Sequence, residues 1–267
     1  MVGRTRRATG RWSRAAGVAA GAVLVAAPVV QMSPAGAVNN PPPADTISGC
    51  KVGYGYWFNA SDGGVFNFGA APFEGSAGNL TLNRPVVGMA STPTGDGYWE
   101  VASDGGIFSF GDAVFHGSTG NIALNQPIVG MARTPTGDGY WLVAADGGVF
   151  SFGDATYFGS TGGMHINQPI VGIASSNSGQ GYWLVAADGG IFSFGDATFL
   201  GSEGGTKLNK PIVGIDVTRD GGGYYLVAAD GGIFGFGNAT FYGSAGNIAL
   251  NKPIVSMSVD FPGKGYW

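Results

Sequence analysis

Residues 139–155 decide the fold, and they read GYWLVAADGGVFSFGDA. Residues 140–145 are apolar on both alternating faces, which is typical of a strand covered on both sides. Asp146-Gly147-Gly148 follows and predicts a tight turn, because glycine adopts positive φ without strain. Residues 149–152 are then the returning strand. This stretch therefore predicts a hairpin whose two apolar faces must be covered by other parts of the chain.

Copies of this stretch supply the cover. Its tyrosine recurs every 42 residues without insertion or deletion, at Tyr56, Tyr98, Tyr140, Tyr182, Tyr224 and Tyr266. A fixed period of this length is typical of solenoids, propellers and arrays. Each unit supports four short strands, which in the second copy are residues 98–103, 107–110, 113–117 and 127–134. The predicted fold is an all-β β-propeller built from five four-stranded, 42-residue repeats.

The two chain ends bear on how such a ring closes. The first copy begins at its Tyr-Trp strand, so residues 253–259 are expected to supply the missing inner strand of that unit. Gly265-Tyr266-Trp267, however, repeats the opening Gly55-Tyr56-Trp57, and both cannot occupy one position. An incomplete array from a larger propeller is therefore the open alternative.

The N-terminal residues have the pattern of a secretory signal. Five arginines precede an apolar run at residues 15–30, and Ala35-Gly36-Ala37 fits a cleavage site. We therefore expect a signal peptide at residues 1–37, a linker at 38–54 and the repeat domain at 55–267. The alternative of a membrane anchor is disfavoured because the run is short and contains Pro28.

Charge argues against nucleic acid as a partner. Cleavage would leave eight basic against 17 acidic residues, a net charge of −9. With two histidines and one cysteine, Cys50, the chain has little material for a metal site or a disulfide framework. No cofactor or metal is expected. Cys50 is either a free or intermolecularly paired thiol or a packing residue.

Two polar positions recur and are the candidate binding residues. An aspartate marks each hairpin turn, and an asparagine lies two residues before each proline that begins the inner strand. The aspartates are Asp62, Asp104, Asp146, Asp188 and Asp230, and the asparagines are Asn83, Asn125, Asn167, Asn209 and Asn251. Both have a plain structural explanation as turn residues. Because the turns and loops are expected on one face, they also predict a multivalent glycan-binding surface.

Other recurrent groups favour structural roles. Trp57, Trp99, Trp141 and Trp183 could stack on sugars, but an apolar strand favours a place in the core. Asp112, Asp154 and Asp196, with Asp96 and Asp138, are expected on the opposite face. A weak calcium site there is the alternative to a structural role, but the sequence lacks the dense spacing of oxygen ligands found in dedicated calcium loops. His116 and His165 align with unrelated residues in other repeats, so surface roles are favoured.

Catalytic constellations are not evident in the sequence. The Gly-Ser pairs lack the glycine of a nucleophile elbow. A propeller enzyme would need converging acidic residues, whereas Glu74, Glu100 and Glu203 occupy different repeat positions. We therefore expect a module that is not itself an enzyme.

The repeat resembles a known family. Units close to GYWLVASDGGIFSFGDA are similar to those of secreted actinobacterial-type repeat proteins, and residues 97–113, 139–155 and 181–197 match well. The departures are Tyr225 for Trp, Ala70 and Asn238 for Asp, and Ser256 for Gly. The resemblance spans residues 55–267 and implies a secreted propeller-type module. In that family such repeats often accompany cell-wall hydrolase or esterase-like domains.

Together these observations predict a secreted, monomeric, non-catalytic module for adhesion or for binding a cell-wall or surface glycan at the cell envelope. After signal cleavage we expect no transmembrane anchor. The alternative is an accessory propeller of an extracellular hydrolase whose catalytic domain lies outside this chain.

Overall fold

A computed structural model describes residues 55–260 and 263–267. The predicted signal peptide and linker and the prediction for Cys50 all lie outside these residues. The described part is all-β, with fourteen strands in small antiparallel sheets. Within it, no helix has the length and apolar character to cross a membrane.

The sheets follow the 42-residue period. One has two strands and four have three, and in each three-stranded sheet the strand that begins Gly-Tyr is central. The strands are β1 Gly55–Asn59, β2 Val65–Gly69, β3 Val86–Ser91, β4 Gly97–Ala102, β5 Ile107–Gly111, β6 Ile128–Arg133, β7 Gly139–Ala144, β8 Val149–Gly153, β9 Ile170–Ser175, β10 Gly181–Ala186, β11 Ile191–Gly195, β12 Ile212–Val217, β13 Gly223–Ala228 and β14 Ile233–Gly237.

The predicted hairpin is confirmed. Strand β7 pairs with β8 in a register that places Tyr140 opposite Phe152 and Leu142 opposite Phe150. Gly147 has a φ of 79° in the turn between them, which is the positive φ that Asp-Gly predicted. The turn closes through a hydrogen bond from the Gly147 N–H to the Ala144 carbonyl, at 2.8 Å.

The fourth strand of each repeat was predicted wrongly. Residues 113–117 and their equivalents form no strand and pair with no sheet edge. We call residues 113–117, and the equivalent residues 71–75, 155–159, 197–201 and 239–243, the outer segments. Side chains bind the backbone of these segments instead: the Trp99 indole Nε1–H donates to the Val114 carbonyl at 2.7 Å. Three-stranded sheets result because these backbone groups already have partners.

A tyrosine hydroxyl of the next repeat completes this attachment. Tyr182 donates its hydroxyl to the Gly159 carbonyl at 2.6 Å and accepts the Phe158 N–H at 3.1 Å. Four other tyrosines make the same pair of bonds to the repeat before them, namely Tyr98, Tyr140, Tyr224 and Tyr266. Each of these hydroxyls therefore joins two consecutive repeats.

Glycine is required where the tyrosine binds. Gly159 has a φ of 134°, and a Cβ built there would lie 2.6 Å from the Phe194 ring of the next repeat. Gly117 meets Phe152 in the same way, at 2.5 Å. A side chain at these positions would strain the backbone and displace the neighbouring repeat.

The cores lie between sheets. One cluster packs Trp141 and Val143 of β7 against Ile173 of β9 and Tyr182 and Leu184 of β10. Equivalent clusters lie between the sheets on either side of it. Burying each large apolar side chain contributes roughly 1.5–3 kcal/mol relative to exposure. A single sheet would expose this surface, so neighbouring repeats stabilise one another.

The inner strands β3, β6, β9 and β12 lie side by side. A Cβ on Gly130 of β6 would lie 3.7 Å from the Gly172 Cα of β9, so the two backbones lie close together here. Backbone bonds link these repeats as well, since the Ile170 N–H donates to the Ala145 carbonyl and the Ala145 N–H donates to that of Pro127, both at 2.9 Å.

The predicted splice of residues 253–259 onto the first repeat is also wrong. Ser258 exchanges two backbone hydrogen bonds with Trp267, and Val259 forms a bridge with Tyr266. These residues begin a sixth unit, because a hairpin between close neighbours costs less loop entropy than pairing with the other chain end. Among the described strands, β1 pairs only with β2.

The two Gly-Tyr-Trp copies at the ends are neighbours. The Tyr56 and Trp267 ring centroids are 5.1 Å apart. The same contact joins consecutive repeats, where the residue after each Gly-Tyr packs on the tyrosine of the next repeat. The ring centroids are 5.6 Å apart for Trp141 and Tyr182 and 5.1 Å apart for Tyr225 and Tyr266. Tyr56 therefore contacts Trp267 in the way that the tyrosine of one repeat contacts the aromatic residue of the repeat before it.

The tyrosine bonds predict a stability difference between two Tyr→Phe variants. Tyr182→Phe leaves the Phe158 N–H and the Gly159 carbonyl without their partner, so the free energy of unfolding should fall by about 1–3 kcal/mol. Tyr157→Phe is the control, because its exposed hydroxyl bonds only the Ser160 hydroxyl and the change should stay below about 0.5 kcal/mol. Urea denaturation measures both, and equal losses would contradict the role given to Tyr182.

Candidate functional site

The recurrent aspartates stabilise their own turns. In each hairpin the carboxylate Oδ1 accepts the N–H of the glycine two residues later, at 3.0–3.1 Å. Asp62, Asp104, Asp146, Asp188 and Asp230 all make this bond. The structural explanation of these residues is therefore confirmed, and any ligand would meet a carboxylate that is already held in place.

The asparagine loops lie against these turns. In the second repeat the Thr119 N–H donates to the Gly105 carbonyl at 3.2 Å, and the Thr119 hydroxyl donates to the Asp104 carbonyl at the same distance. The expectation that turns and loops share a face is met there. All five asparagines, Asn83, Asn125, Asn167, Asn209 and Asn251, are exposed.

Two surface cavities bring the two residue types together. One, of about 330 Å³, is lined by Asn125, Gln126, Asp146 and Ser160 together with Leu124. The other, of about 300 Å³, is lined by Asp62, Asn83 and Arg84 together with Ser61. Each cavity presents a side-chain amide and a carboxylate over a partly apolar floor, which suits hydroxyl groups on a small ring.

Three aspartates follow the second strand of their hairpin, and each carboxylate accepts a hydrogen bond within the protein. The Asp154 N–H donates to the Asp138 carbonyl at 3.0 Å, and the Thr136 hydroxyl donates to the Asp154 carboxylate at 2.6 Å. Thr94 and Ser178 do the same for Asp112 and Asp196. Within residues 55–260 and 263–267, no three His, Cys, Asp or Glu residues cluster as a metal site would require.

The remaining candidates take structural places. Trp99, Trp141 and Trp183 are buried, so their predicted core role is confirmed, and Trp57 is partly buried. His116 is half-buried with its ring centroid 5.6 Å from that of Tyr140, whereas His165 is exposed.

Glu100 is a buried carboxyl that sequence reasoning missed. It lies in β4 where other repeats have Leu142, Leu184 and Leu226, and it is completely buried. Its Oε2 accepts the Ala77 N–H at 3.3 Å, while Oε1 has no partner in the structure. Burial raises the pKa of Glu100 to about 7, and the Asp62 charge adds to this. The signal was available, because one acid interrupts a column of leucines.

Asp216 is the second missed residue, at a position that is alanine in three other repeats. Its carboxylate accepts the Val259 N–H at 2.7 Å and the Val217 N–H at 2.8 Å. Burial raises the pKa of Asp216, and the two N–H donors oppose that rise. Asp216 therefore attaches the sixth unit to the fifth.

No protein-family model matches the chain, and no curated protein sequence matches it.

Glu100 predicts a pH-dependent stability. Its folded pKa of about 7 exceeds the ordinary 4.5, so the contribution of Glu100 to the free energy of unfolding is greatest below pH 4.5 and falls as pH rises to 7. The loss amounts to about 3 kcal/mol at pH 8. Glu100→Leu lacks the titrating carboxyl and should not show this loss. The free energy of unfolding of the variant minus that of the natural protein should therefore increase by that amount between pH 4 and pH 8.

Urea denaturation at the two pH values checks this, with the exposed Glu74→Gln as control. If the difference in free energy of unfolding between Glu100→Leu and the natural protein does not change with pH, Glu100 does not titrate as its burial requires.

Proposed function

We propose that the chain is a secreted, non-catalytic module that binds a cell-wall or surface glycan. The observation that carries this is the pair of cavities in which an exposed asparagine and a turn aspartate meet, at Asn83 with Asp62 and at Asn125 with Asp146. Amide and carboxylate groups accept and donate the hydrogen bonds that sugar hydroxyls offer. The cavities are shallow, so a single site is weak and several must act together.

The proposed architecture is a propeller-type arrangement of the repeats, with five sheets and the start of a further unit among the described residues. Contact between inner strands and between successive sheets supports it. So does the meeting of Tyr56 with Trp267, which repeats the spacing found between consecutive units. In such an arrangement the candidate cavities would share one face, and a polymer could engage several of them at once.

Secretion and the family assignment rest on the sequence. The basic and apolar N-terminal pattern supports export, and the GYWLVASDGGIFSFGDA-like repeat supports kinship with secreted actinobacterial-type proteins. The net acidic charge agrees with a partner other than nucleic acid.

Stepwise removal of asparagines tests the proposal. The full-length protein is expressed in a host that exports it, and mass spectrometry of the secreted protein should show an N-terminus near Val38. The secreted protein is then applied to peptidoglycan and to neutral polysaccharides. Retention should fall in steps, because avidity decreases with each lost site. The variants are the single change Asn125→Ala, the double change that adds Asn167→Ala, and the triple change that also adds Asn209→Ala. His165→Ala, an exposed change between two of these sites, is the control.

Retention on a neutral polysaccharide should persist in moderate salt. Arg84 lines one cavity, and Lys210 and Lys252 follow asparagines in other repeats, so an anionic polymer would be released by salt instead. A folded protein that binds no glycan but contacts a hydrolase catalytic domain would overturn the proposal in favour of the accessory role.

A further inference from the structure

One aromatic residue stands out of each outer segment. At the same position in five repeats the ring is between 55% and 62% exposed, at Phe73, Phe115, Tyr157, Phe199 and Phe241. Single exposed apolar residues are ordinary on protein surfaces. Here an aromatic residue is exposed at one position in five repeats, and packing in the core does not account for it.

The backbone beneath each ring is held on both sides. For Tyr157, the Thr156 carbonyl accepts the Trp141 indole N–H at 2.8 Å, and the Phe158 N–H donates to the Tyr182 hydroxyl at 3.1 Å. The same bonds flank Phe115 through Val114 and His116. Because the backbone is fixed, a ligand would meet a pre-positioned ring and would not have to order a loop.

The Tyr157 ring also adjoins a candidate cavity. Its hydroxyl donates to the Ser160 hydroxyl at 3.2 Å, and Ser160 lines the cavity that contains Asn125 and Asp146. A serine follows each of the five exposed aromatics by three residues. Polar groups for hydroxyls and a flat apolar face for a ring therefore lie next to each other.

We propose that these aromatic rings are stacking platforms for the sugar rings of a neutral polysaccharide, so that each site extends from its cavity past the serine onto the aromatic. The proposal rests on the glycan binding proposed above and names the ligand class. Pyranose rings have apolar C–H faces that pack on the negative face of an aromatic ring. The five outer segments carry no Lys or Arg, so a ligand stacked on their rings meets no basic side chain from them, which suits an uncharged ligand better than an anionic one.

The test is binding of the full-length secreted protein to insoluble chitin, cellulose and peptidoglycan. Tyr157→Ala should weaken binding by about 2- to 10-fold, the worth of one stacking contact. Tyr157→Phe keeps the ring and should restore most of the affinity. Val255→Ala is the control, since Val255 is an exposed apolar residue that is not aromatic and lines neither cavity.

Phe115→Ala repeats the test in another repeat, and adding Phe199→Ala to both changes should deepen the loss beyond that of any single variant. Circular dichroism establishes that each variant is folded. Unchanged binding by both single Ala variants, or an equal loss in Val255→Ala, would overturn the stacking role while glycan binding stands. Failure of the natural protein to bind any of the three polymers would overturn both proposals.

Discussion

The structure depends on a buried tyrosine hydroxyl that bonds the backbone of the preceding repeat. At Tyr140, for example, one oxygen accepts the His116 N–H and donates to the Gly117 carbonyl. Two polar backbone groups at an unpaired segment are thereby satisfied by one side chain, and burying them without it would cost about 1–3 kcal/mol each. Because the tyrosine lies in the central strand of its own sheet, the bond fixes the position of one sheet relative to the next.

This attachment replaces a fourth strand and determines what faces solvent. A ladder strand would alternate its side chains and pair its backbone along an edge, whereas the outer segment is held at only a few points by Trp and Tyr side chains. Its aromatic residue is then free to project outward on a fixed backbone. One arrangement therefore gives the contact between repeats and exposes the aromatic rings of the proposed glycan site, which also includes the cavities beside Asn125 and Asn83.

Local patterns made the hairpins predictable. The apolar run at residues 140–145 and the Asp146-Gly147 turn identify their strands, and the aspartates were correctly given a turn role. The outer segment was mistaken for a strand because its short apolar sequence has strand-like composition, and only tertiary contacts reveal that Tyr182 and Trp141 bind its backbone. The C-terminal splice failed for a similar reason, since the Asp216 contact that holds Val259 cannot be inferred from periodicity.

The candidate site was predictable only in part. Asn125 and Asp146 were chosen from their recurrence, and the structure places them on one cavity. Ser160 and Tyr157 were not, because exposure of an aromatic depends on the path of the outer segment. The burial of Glu100 could have been predicted from the sequence. Glu100 occupies the repeat position at which other repeats have Leu142, Leu184 and Leu226, and this indicates a buried ionisable group.

Amide hydrogen exchange of the outer segments tests the tyrosine attachment most directly. The N–H groups of Glu74, His116, Phe158, Leu200 and Tyr242 lie outside every strand yet donate to a tyrosine hydroxyl. Their exchange should be slowed to a degree approaching that of the central-strand amides, and Tyr140→Phe should release protection at His116 while leaving Leu200 protected. Exchange of these five amides at the rate of unstructured peptides would contradict the claim that tyrosine hydroxyls hold the repeats together.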